Sequence, residues 1–135
     1  MIGIDTNILL RYVLADDAAQ HRLAARLVDE TCSDDEPAFV SEIVLVEAVW
    51  YLVKKQRRPK REVVDLLFAL ADNAHLCFPD ESAHLAAVNA YAEGRGDFAE
   101  YLIAASNAAH GVPKTFTFDK DASKKDGALT LLQGA

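Results

Sequence analysis

This sequence lacks the features that identify several common protein classes. Its two cysteines, Cys32 and Cys77, lie in unrelated segments and form neither a C-x-x-C motif nor a Cys/His spacing typical of zinc sites. The amino terminus has no basic leader followed by an apolar region, and no uninterrupted apolar run reaches the ~18 residues of a membrane span. We therefore expect a soluble protein of the reducing cytoplasm, with no membrane association.

Motifs for common enzyme chemistries are also missing. The sequence has no G-x-x-x-x-G-K-S/T and no G-x-G-x-x-G, which excludes the usual nucleotide-binding sites. Its four histidines have no mutual spacing for a metal site, and Ser41 lacks a histidine partner for a nucleophilic triad. The chain is instead rich in acidic residues: 21 Asp and Glu against 14 Lys and Arg give a net charge of −7.

Length and composition predict one folded domain. A chain of 135 residues is large enough to bury a core without disulfides. A content of 51% hydrophobic and 26% charged residues is typical of a globular protein. We expect a single domain over residues 1–135, and the sequence has no internal repeat or low-complexity linker.

Hydrophobic periodicity predicts that strands and helices alternate along the chain. Short β-rich runs predict strands at residues 1–4, 38–40, 75–78, 114–118 and 128–132. Helices are predicted after the first strand, over 16–32 and 41–57, from Pro59, over 81–92 and over 98–110, with a short polar helix or turn after Asp119. The expected core faces are Leu23, Ala24, Leu27 and Val28 on the second helix and Val63, Leu66, Leu67, Leu70 and Ala71 on the fourth. This alternation favours an α/β fold with a largely parallel sheet.

Glu47 interrupts the most apolar stretch of the chain, residues 43–53. In a helix, its neighbours three and four residues away are Ile43, Val44, Trp50 and Tyr51, all apolar or aromatic. An unpaired carboxylate on such a face would lose its hydration, so it would need a cation, a proton or hydrogen-bond donors. The pattern favours a buried ligand, with the alternative that Glu47 lies at the edge of the apolar face and reaches water.

Further acids occur where the elements of an α/β fold begin and end. Asp5 follows the first strand, Asp119 and Asp121 follow the fourth, and Asp97 and Glu100 open the late helix. Singly, each has a structural alternative as a helix cap or turn residue. Ligands of open α/β sheets bind at the carboxyl ends of strands, so the recurrence of acids there favours a shared site. Clustered carboxylates repel unless a cation lies between them, and oxygen ligands favour Mg²⁺ or Mn²⁺.

These residues resemble the PIN domain family. Four elements in order carry the resemblance: Asp5-Thr6-Asn7, Ser41 followed by Glu47 in an apolar helix, the segment Glu-Tyr-Leu-Ile-Ala-Ala-Ser at residues 100–106, and Thr117-Phe118-Asp119. More narrowly, their length, order and spacing are similar to the VapC-type toxins of bacterial and archaeal toxin–antitoxin pairs. The resemblance extends from Met1 to about Leu132.

The resemblance implies a PIN-like three-layer sandwich, with a mostly parallel central sheet flanked by helices. It also implies a metal-dependent endoribonuclease that hydrolyses RNA, a homodimer, and neutralisation by a partner antitoxin. The acids that it implies as catalytic residues and as ligands of Mg²⁺ or Mn²⁺ are Asp5, Glu47, Glu100 and Asp119. The residues that it implies as supporting contacts to these carboxylates are Thr6, Asn7, Ser41 and Thr117.

One position departs from the family pattern. Members usually carry Asp immediately before the x-x-Ile-Ala-Ala element, whereas this chain has Glu100 there and Asp97 three residues earlier. Glu100 lies one turn inside the helix, where the helix dipole favours negative charge, and Asp97 suits the cap position. We predict that Glu100 is the principal metal ligand, and that Asp97, the second candidate, is a cap or a helper through water.

A basic cluster, Lys54, Lys55, Arg57 and Arg58, ends the predicted Glu47 helix. These residues would help to steer RNA, which counters the objection that a net charge of −7 disfavours polyanion binding. The alternative is a solvated helix end whose cations interact favourably with the helix dipole.

Trp50, Tyr51 and Leu52 are more apolar residues than one helix face can bury in one core. Part of the first half is therefore expected to form a homodimer or antitoxin surface. Aromatic residues in such a stretch are more often core or dimer-interface residues than platforms for base stacking. The sequence leaves the role of Trp50 and Tyr51 open.

Other function classes compete with the ribonuclease. A phosphatase that uses Asp5 as nucleophile would favour a second Asp two residues on, but position 7 is Asn. The stronger alternative is a PIN-fold module that binds RNA or protein with weak or no catalysis, because Glu100 replaces the usual Asp. Cleavage of RNA with and without Mn²⁺ distinguishes these classes.

Overall fold

The computed structural model describes residues 1–124 and 127–133. The chain forms two compact units, a first unit over Met1–Pro79 and a second unit over Asp80–Ala135. Each unit contains a parallel pairing of strands, and every strand pair that the structure describes is parallel. The predicted α/β class with a largely parallel sheet is therefore confirmed.

The first unit is built on a three-stranded parallel sheet in the order β1-β2-β3. Its strands are β1 (Ile2–Gly3), β2 (Ala38–Phe39) and β3 (Leu76–Cys77). Its helices are α1 (Thr6–Val13), α2 (Ala18–Arg26), α3 (Glu42–Trp50) and α4 (Lys60–Asp72). The strands lie where the sequence predicts them but are shorter, because only two residues of each form ladder pairs.

Polar residues at helix starts explain where three of these helices begin. Asp5, Asp17 and Ser41 each accept a hydrogen bond from the backbone N–H three residues later, at 3.0, 3.0 and 3.3 Å. Such a side chain satisfies an amide that has no partner inside the helix. The first cap places Asp5 two residues after the end of β1, beyond the carboxyl end of the strand.

The second and third helices each end in a π-helical segment, Leu27–Thr31 and Tyr51–Lys55. Their wider turns are closed by bonds five residues apart, from the Cys32 N–H to Leu27 at 2.9 Å and from the Gln56 N–H to Tyr51 at 3.0 Å. The helix expected to reach Arg57 therefore ends at Lys55, and Arg57 itself has a left-handed φ of 52°.

The predicted core faces are confirmed in part on α4 and on α2. On α4, Val63, Leu67 and Leu70 are buried as expected from their spacing, whereas Leu66 and Ala71 are only half-buried. On α2, Ala24 is buried but Leu23 is 65% exposed. Adjacent helical positions differ by about 100°, so a face centred on residue 24 leaves residue 23 outside it.

The second unit contains α5 (Glu81–Glu93), α6 (Phe98–Ala109), β4 (Thr115–Thr117), α7 (Lys120–Ser123) and β5 (Leu129–Leu131). Strands β4 and β5 pair in parallel, and α5 packs on α6 through an edge-to-face contact of Tyr91 and Phe98, with ring centroids 5.8 Å apart. Gly111 follows α6 with φ of 81°, a left-handed conformation that glycine commonly adopts just after a helix.

Two glycines allow the turn between α5 and α6 to pack closely. A Cβ atom on Gly94 would lie 2.0 Å from Tyr101 Oη, and one on Gly96 would lie 2.6 Å from the Ala122 Cβ. The Gly96 N–H donates to Tyr101 Oη at 2.9 Å. The turn is therefore fixed against α6 and against α7, the helix that begins after Asp119.

In the described part of the chain, we find no helix with the length and apolarity required to cross a membrane.

Candidate active site

Asp5 lies beyond the carboxyl end of β1 and is exposed. Its Oδ1 atom accepts the capping bond from the Ile8 N–H at 3.0 Å, so the structural interpretation of this acid is confirmed. A carboxylate has about four acceptor positions, and the cap uses one of them. The cap and the predicted ligand role are therefore compatible in one side chain.

Glu47 is exposed, and its Oε1 atom accepts a hydrogen bond from the Thr6 hydroxyl at 2.9 Å. The expectation of a buried carboxylate is wrong. Ile43 and Trp50, which share its side of α3, are 73% and 52% exposed, while the buried face is formed by Val44, Leu45, Ala48 and Val49. Because α3 is apolar on nearly every side, its sequence does not identify the buried face, and the carboxylate avoids desolvation by facing water.

Thr6 makes the kind of contact that the resemblance implies, a hydroxyl bond to a candidate ligand. The bond ties the first residue of α1 to the middle of α3 and orients the Glu47 side chain. Ser41 uses its hydroxyl differently, since it accepts the Val44 N–H and caps α3. Asn7 is exposed on the first turn of α1.

In the second unit, Thr117 brings two predicted acids together. Its hydroxyl donates to Glu100 Oε2 at 3.2 Å and accepts the Asp119 backbone N–H at 3.0 Å. Asp119 in turn caps α7, because its Oδ1 accepts the N–H groups of Asp121 and Ala122 at 2.9 and 3.0 Å. One threonine therefore fixes Glu100 on α6 relative to the end of β4.

Asp97 occupies the cap position of α6 but makes no side-chain capping bond, so the expected cap through its side chain is wrong. Its carbonyl accepts the Glu100 N–H at 3.1 Å, and the negative charge of its exposed carboxylate affects the pKa of Tyr91. Burial, and secondarily the negative charge of Asp97, raise the pKa of the Tyr91 phenol above 10.0. Asp97 thus adds negative charge at the start of α6 without sharing the Thr117 contact.

The two units carry a similar local arrangement. Asp5 and Glu47 form what we call the first carboxylate pair, and Glu100 and Asp119 the second carboxylate pair. In each pair, an aspartate after a strand caps the next helix, and a glutamate accepts a hydroxyl bond from a threonine. The contacts orient the carboxylates and still leave oxygen lone pairs in each of them.

The donor chemistry of both pairs fits Mg²⁺ or Mn²⁺, which prefer carboxylate oxygens. Within residues 1–124 and 127–133, the structure contains no group of three or more His, Cys, Asp or Glu side chains placed to hold a metal ion. The assignment of Asp5, Glu47, Glu100 and Asp119 as ligands therefore stays a prediction.

The predicted basic cluster divides into exposed and engaged residues. Lys54, Lys55 and Arg57 are exposed at the end of the π-helical segment. Arg58 is half-buried, forms an ion pair with Glu62 and donates to Gln56 Oε1 at 2.9 and 3.2 Å. Three of the four cations face solvent, whereas Arg58 is held by neighbouring side chains.

The sequence prediction misses a contact in the second unit, where the turn at Gly94 and Gly96 packs on Tyr101. The Gly-Arg-Gly sequence signals the turn, although nothing in it identifies Tyr101 as the partner. In the first unit, Trp50 is 52% exposed and Lys55 Nζ lies 5.6 Å from its ring centroid. This exposure agrees with the expectation that one core cannot bury all of residues 50–52, whereas the contact with Lys55 has no local sequence signal.

Comparison with known proteins identifies the family. The PIN domain family model matches residues 2–128, a range that includes most of both units. Neither the curated proteins nor the solved structures provided a match to the chain. The match to the family model agrees with the parallel strand pairs and with the α/β class of the fold. The chain therefore belongs to the PIN domain family, whose members generally are metal-dependent nucleases.

Proposed function

We propose that this protein is an endoribonuclease that depends on a divalent metal ion, Mg²⁺ or Mn²⁺. The observation that carries the proposal is the second carboxylate pair. Thr117 holds Glu100 next to the end of β4 and also binds the Asp119 N–H, so two of the predicted acids are oriented by one hydroxyl. Such preorganised carboxylates suit a hard cation, and the cation would in turn interact with the phosphates of a polyanionic substrate.

In the proposed reaction, Asp5, Glu47, Glu100 and Asp119 would hold the ion, with Asp97 as an outer contact through water. A bound divalent ion supplies activation of water and stabilises charge on the phosphate. Thr6 and Thr117 keep the two glutamates oriented through their hydroxyl bonds. A carboxylate oxygen accepts the proton of the attacking water, which displaces the ribose oxygen from phosphorus in line. The proposal needs no covalent nucleophile from the chain.

The narrower role that we propose is the toxin of a type II toxin–antitoxin pair that acts in the cytoplasm as a homodimer. The resemblance to VapC-type toxins supports this role. A short upstream reading frame for a DNA-binding antitoxin is expected in the genome. A strictly monomeric mass at micromolar concentration would contradict the dimer and leave the nuclease proposal intact.

The second candidate function is a PIN-fold module that binds RNA or protein with little catalysis. Glu100 in place of the usual Asp favours it, because the longer side chain changes the reach of the carboxylate. The two candidates differ in turnover: the nuclease cleaves RNA when Mn²⁺ is present, whereas the module binds RNA without cleaving it.

A cleavage assay on a mixed RNA pool tests the proposal. We expect cleavage with Mn²⁺ and none with excess chelator. Glu100→Gln preserves shape and removes charge, so it should lower turnover by about 10–100-fold or more with the fold intact. Asp97→Asn is the matched control and should cost far less. If Glu100→Gln remains fully active while Asp97→Asn is inactive, the ligand assignment is reversed, and if no variant or condition changes cleavage, the activity is a contaminant.

A further inference from the structure

Trp50 is a large aromatic side chain that faces solvent beside a predicted catalytic acid. It is the last residue of α3 and is 52% exposed. Glu47 precedes it by three residues, a spacing that places both side chains on one side of a helix. The exposed ring therefore lies on the side of α3 that carries Glu47, on the surface that a substrate at Glu47 would approach.

The same end of α3 carries exposed positive charge. Lys55 Nζ lies 5.6 Å from the Trp50 ring centroid, which is a cation–π distance. Lys54 and Arg57, within seven residues of the ring, are also exposed. One short segment therefore offers a flat aromatic surface for a base and cations for the neighbouring phosphates.

We propose that Trp50 stacks on a nucleobase of single-stranded RNA, and that Lys54, Lys55 and Arg57 bind the flanking phosphates. The inference rests on the proposed ribonuclease function and adds a residue that positions the substrate. Proteins that bind single strands combine these two kinds of contact, because every base has a face that can stack and every linkage carries a charge.

Charge favours RNA over a second copy of the chain as the occupant of this surface. Ile43, 73% exposed on the same side of α3, would suit an apolar partner as well as Trp50 does. A second copy, however, brings the same three cations, whereas RNA brings phosphates of opposite charge.

Another aromatic residue with a lysine above it shows what is specific to Trp50. Lys114 Nζ lies 5.1 Å from the ring centroid of Phe116, which is 56% exposed. Side chains alternate along a strand, so Phe116 points away from the face on which Thr117 contacts Glu100. Trp50 therefore lies on the same side of its helix as the candidate ligand Glu47, whereas Phe116 lies on the opposite face of its strand from the Thr117–Glu100 contact.

Intrinsic fluorescence tests the stacking directly, because Trp50 is the single tryptophan of the chain. The full-length protein in excess chelator is titrated with an eight-nucleotide single-stranded adenosine oligoribonucleotide. The control is an abasic phosphodiester of the same length and charge. We expect saturable quenching by the oligoribonucleotide and none by the abasic chain. Equal responses to both would overturn the proposal, because they would reduce the surface to a phosphate site.

Variants separate stacking from general apolar contact. Since one stacked base is worth about 1–3 kcal/mol, Trp50→Ala should weaken RNA binding by at least about fivefold, while Trp50→Phe preserves most of the affinity. Ile43→Ala is the matched control and should bind RNA as the wild type does. If Ile43→Ala and Trp50→Ala both lower the mass of the protein in light scattering and weaken RNA binding equally, the surface holds a second copy and the proposal is wrong.

Cleavage with Mn²⁺, measured on the same preparations, separates this inference from the proposed function. Cleavage without quenching removes the stacking role and leaves the nuclease. Quenching without cleavage removes the nuclease and leaves Trp50 as the platform of an RNA-binding module.

Discussion

Thr117→Val is the substitution that most directly tests how the second carboxylate pair is held. Valine has nearly the same shape as threonine and similar strand preference, but it removes the hydroxyl. The Glu100 carboxylate then loses a donor at 3.2 Å, and the Asp119 N–H loses an acceptor at 3.0 Å. Both losses fall on half-buried groups, so water replaces the missing partners only in part.

The expected loss of stability is about 2 kcal/mol. A hydrogen bond to a charged group contributes roughly 1.5–3 kcal/mol when it is buried, and about 1 kcal/mol after allowance for the half exposure of Glu100. Leaving a partly buried N–H without an acceptor costs roughly another 1 kcal/mol. Thr6→Val is the matched comparison, because it removes one bond to the exposed Glu47, and it should cost only about 0.5 kcal/mol.

Chemical denaturation measures the loss of unfolding free energy in Thr117→Val and in Thr6→Val. A titration with Mn²⁺ measures how each substitution changes metal binding. Residues that orient a metal ligand typically change affinity or activity by about 10–100-fold when removed, so Thr117→Val should bind Mn²⁺ correspondingly less well. Thr117→Ser keeps the hydroxyl, so it should retain most of the unfolding free energy and most of the affinity for Mn²⁺. Loss in the serine variant equal to that in the valine variant would refute the reasoning, because packing and not the hydroxyl would then carry the effect.

Further substitutions test other parts of the structure. Gly96→Ala should cost about 1–3 kcal/mol, because its Cβ would lie 2.6 Å from the nearest α7 atom, whereas Gly3→Ala, with nothing within 4 Å, should change the unfolding free energy by less than about 0.5 kcal/mol. Asp5→Asn should leave stability without metal nearly unchanged, since Asn also caps, but should reduce the rise in melting temperature caused by Mn²⁺. Because the pKa of Tyr91 is raised above 10.0, the folded state keeps the phenolic proton at a pH where the unfolded chain loses it, so the free energy of unfolding should fall as pH rises through 10.0. Asp97→Asn should lower this pKa and reduce the fall. Absorbance titration of the tyrosines and denaturation at pH 9–11 measure the two effects.

The ends of helices were predictable because their signals are local. Pro59 directly precedes α4, where the sequence predicts the start of that helix, and the helix predicted over 98–110 ends at Ala109, just before Gly111 with its left-handed φ. These residues act on amides or backbone angles within a few positions along the chain, so neighbouring residues are enough to predict them.

The orientation of Glu47 was not predictable, because the residues around it are apolar on almost every side of α3. Only the packing of the folded unit determines which side is buried. The partner of Glu100 is a similar case, since Thr117 lies 17 residues later and reaches it through the packing of β4 beside α6. The position of the acids in the sequence selects them as candidates, and tertiary contacts determine what each oxygen binds.

The solvent exposure of Asp5 and Glu47 has a consequence for how the protein matures in the cell. Acids held in water repel each other weakly, so the first unit can fold before any divalent ion arrives. Small metal-dependent domains behave differently, because they fold only when the ion binds and are unfolded by chelators. Under the proposed function, scarcity of the ion would therefore leave the first unit folded with its two acids in place, so that supply of the ion would control activity without controlling the folding of this unit.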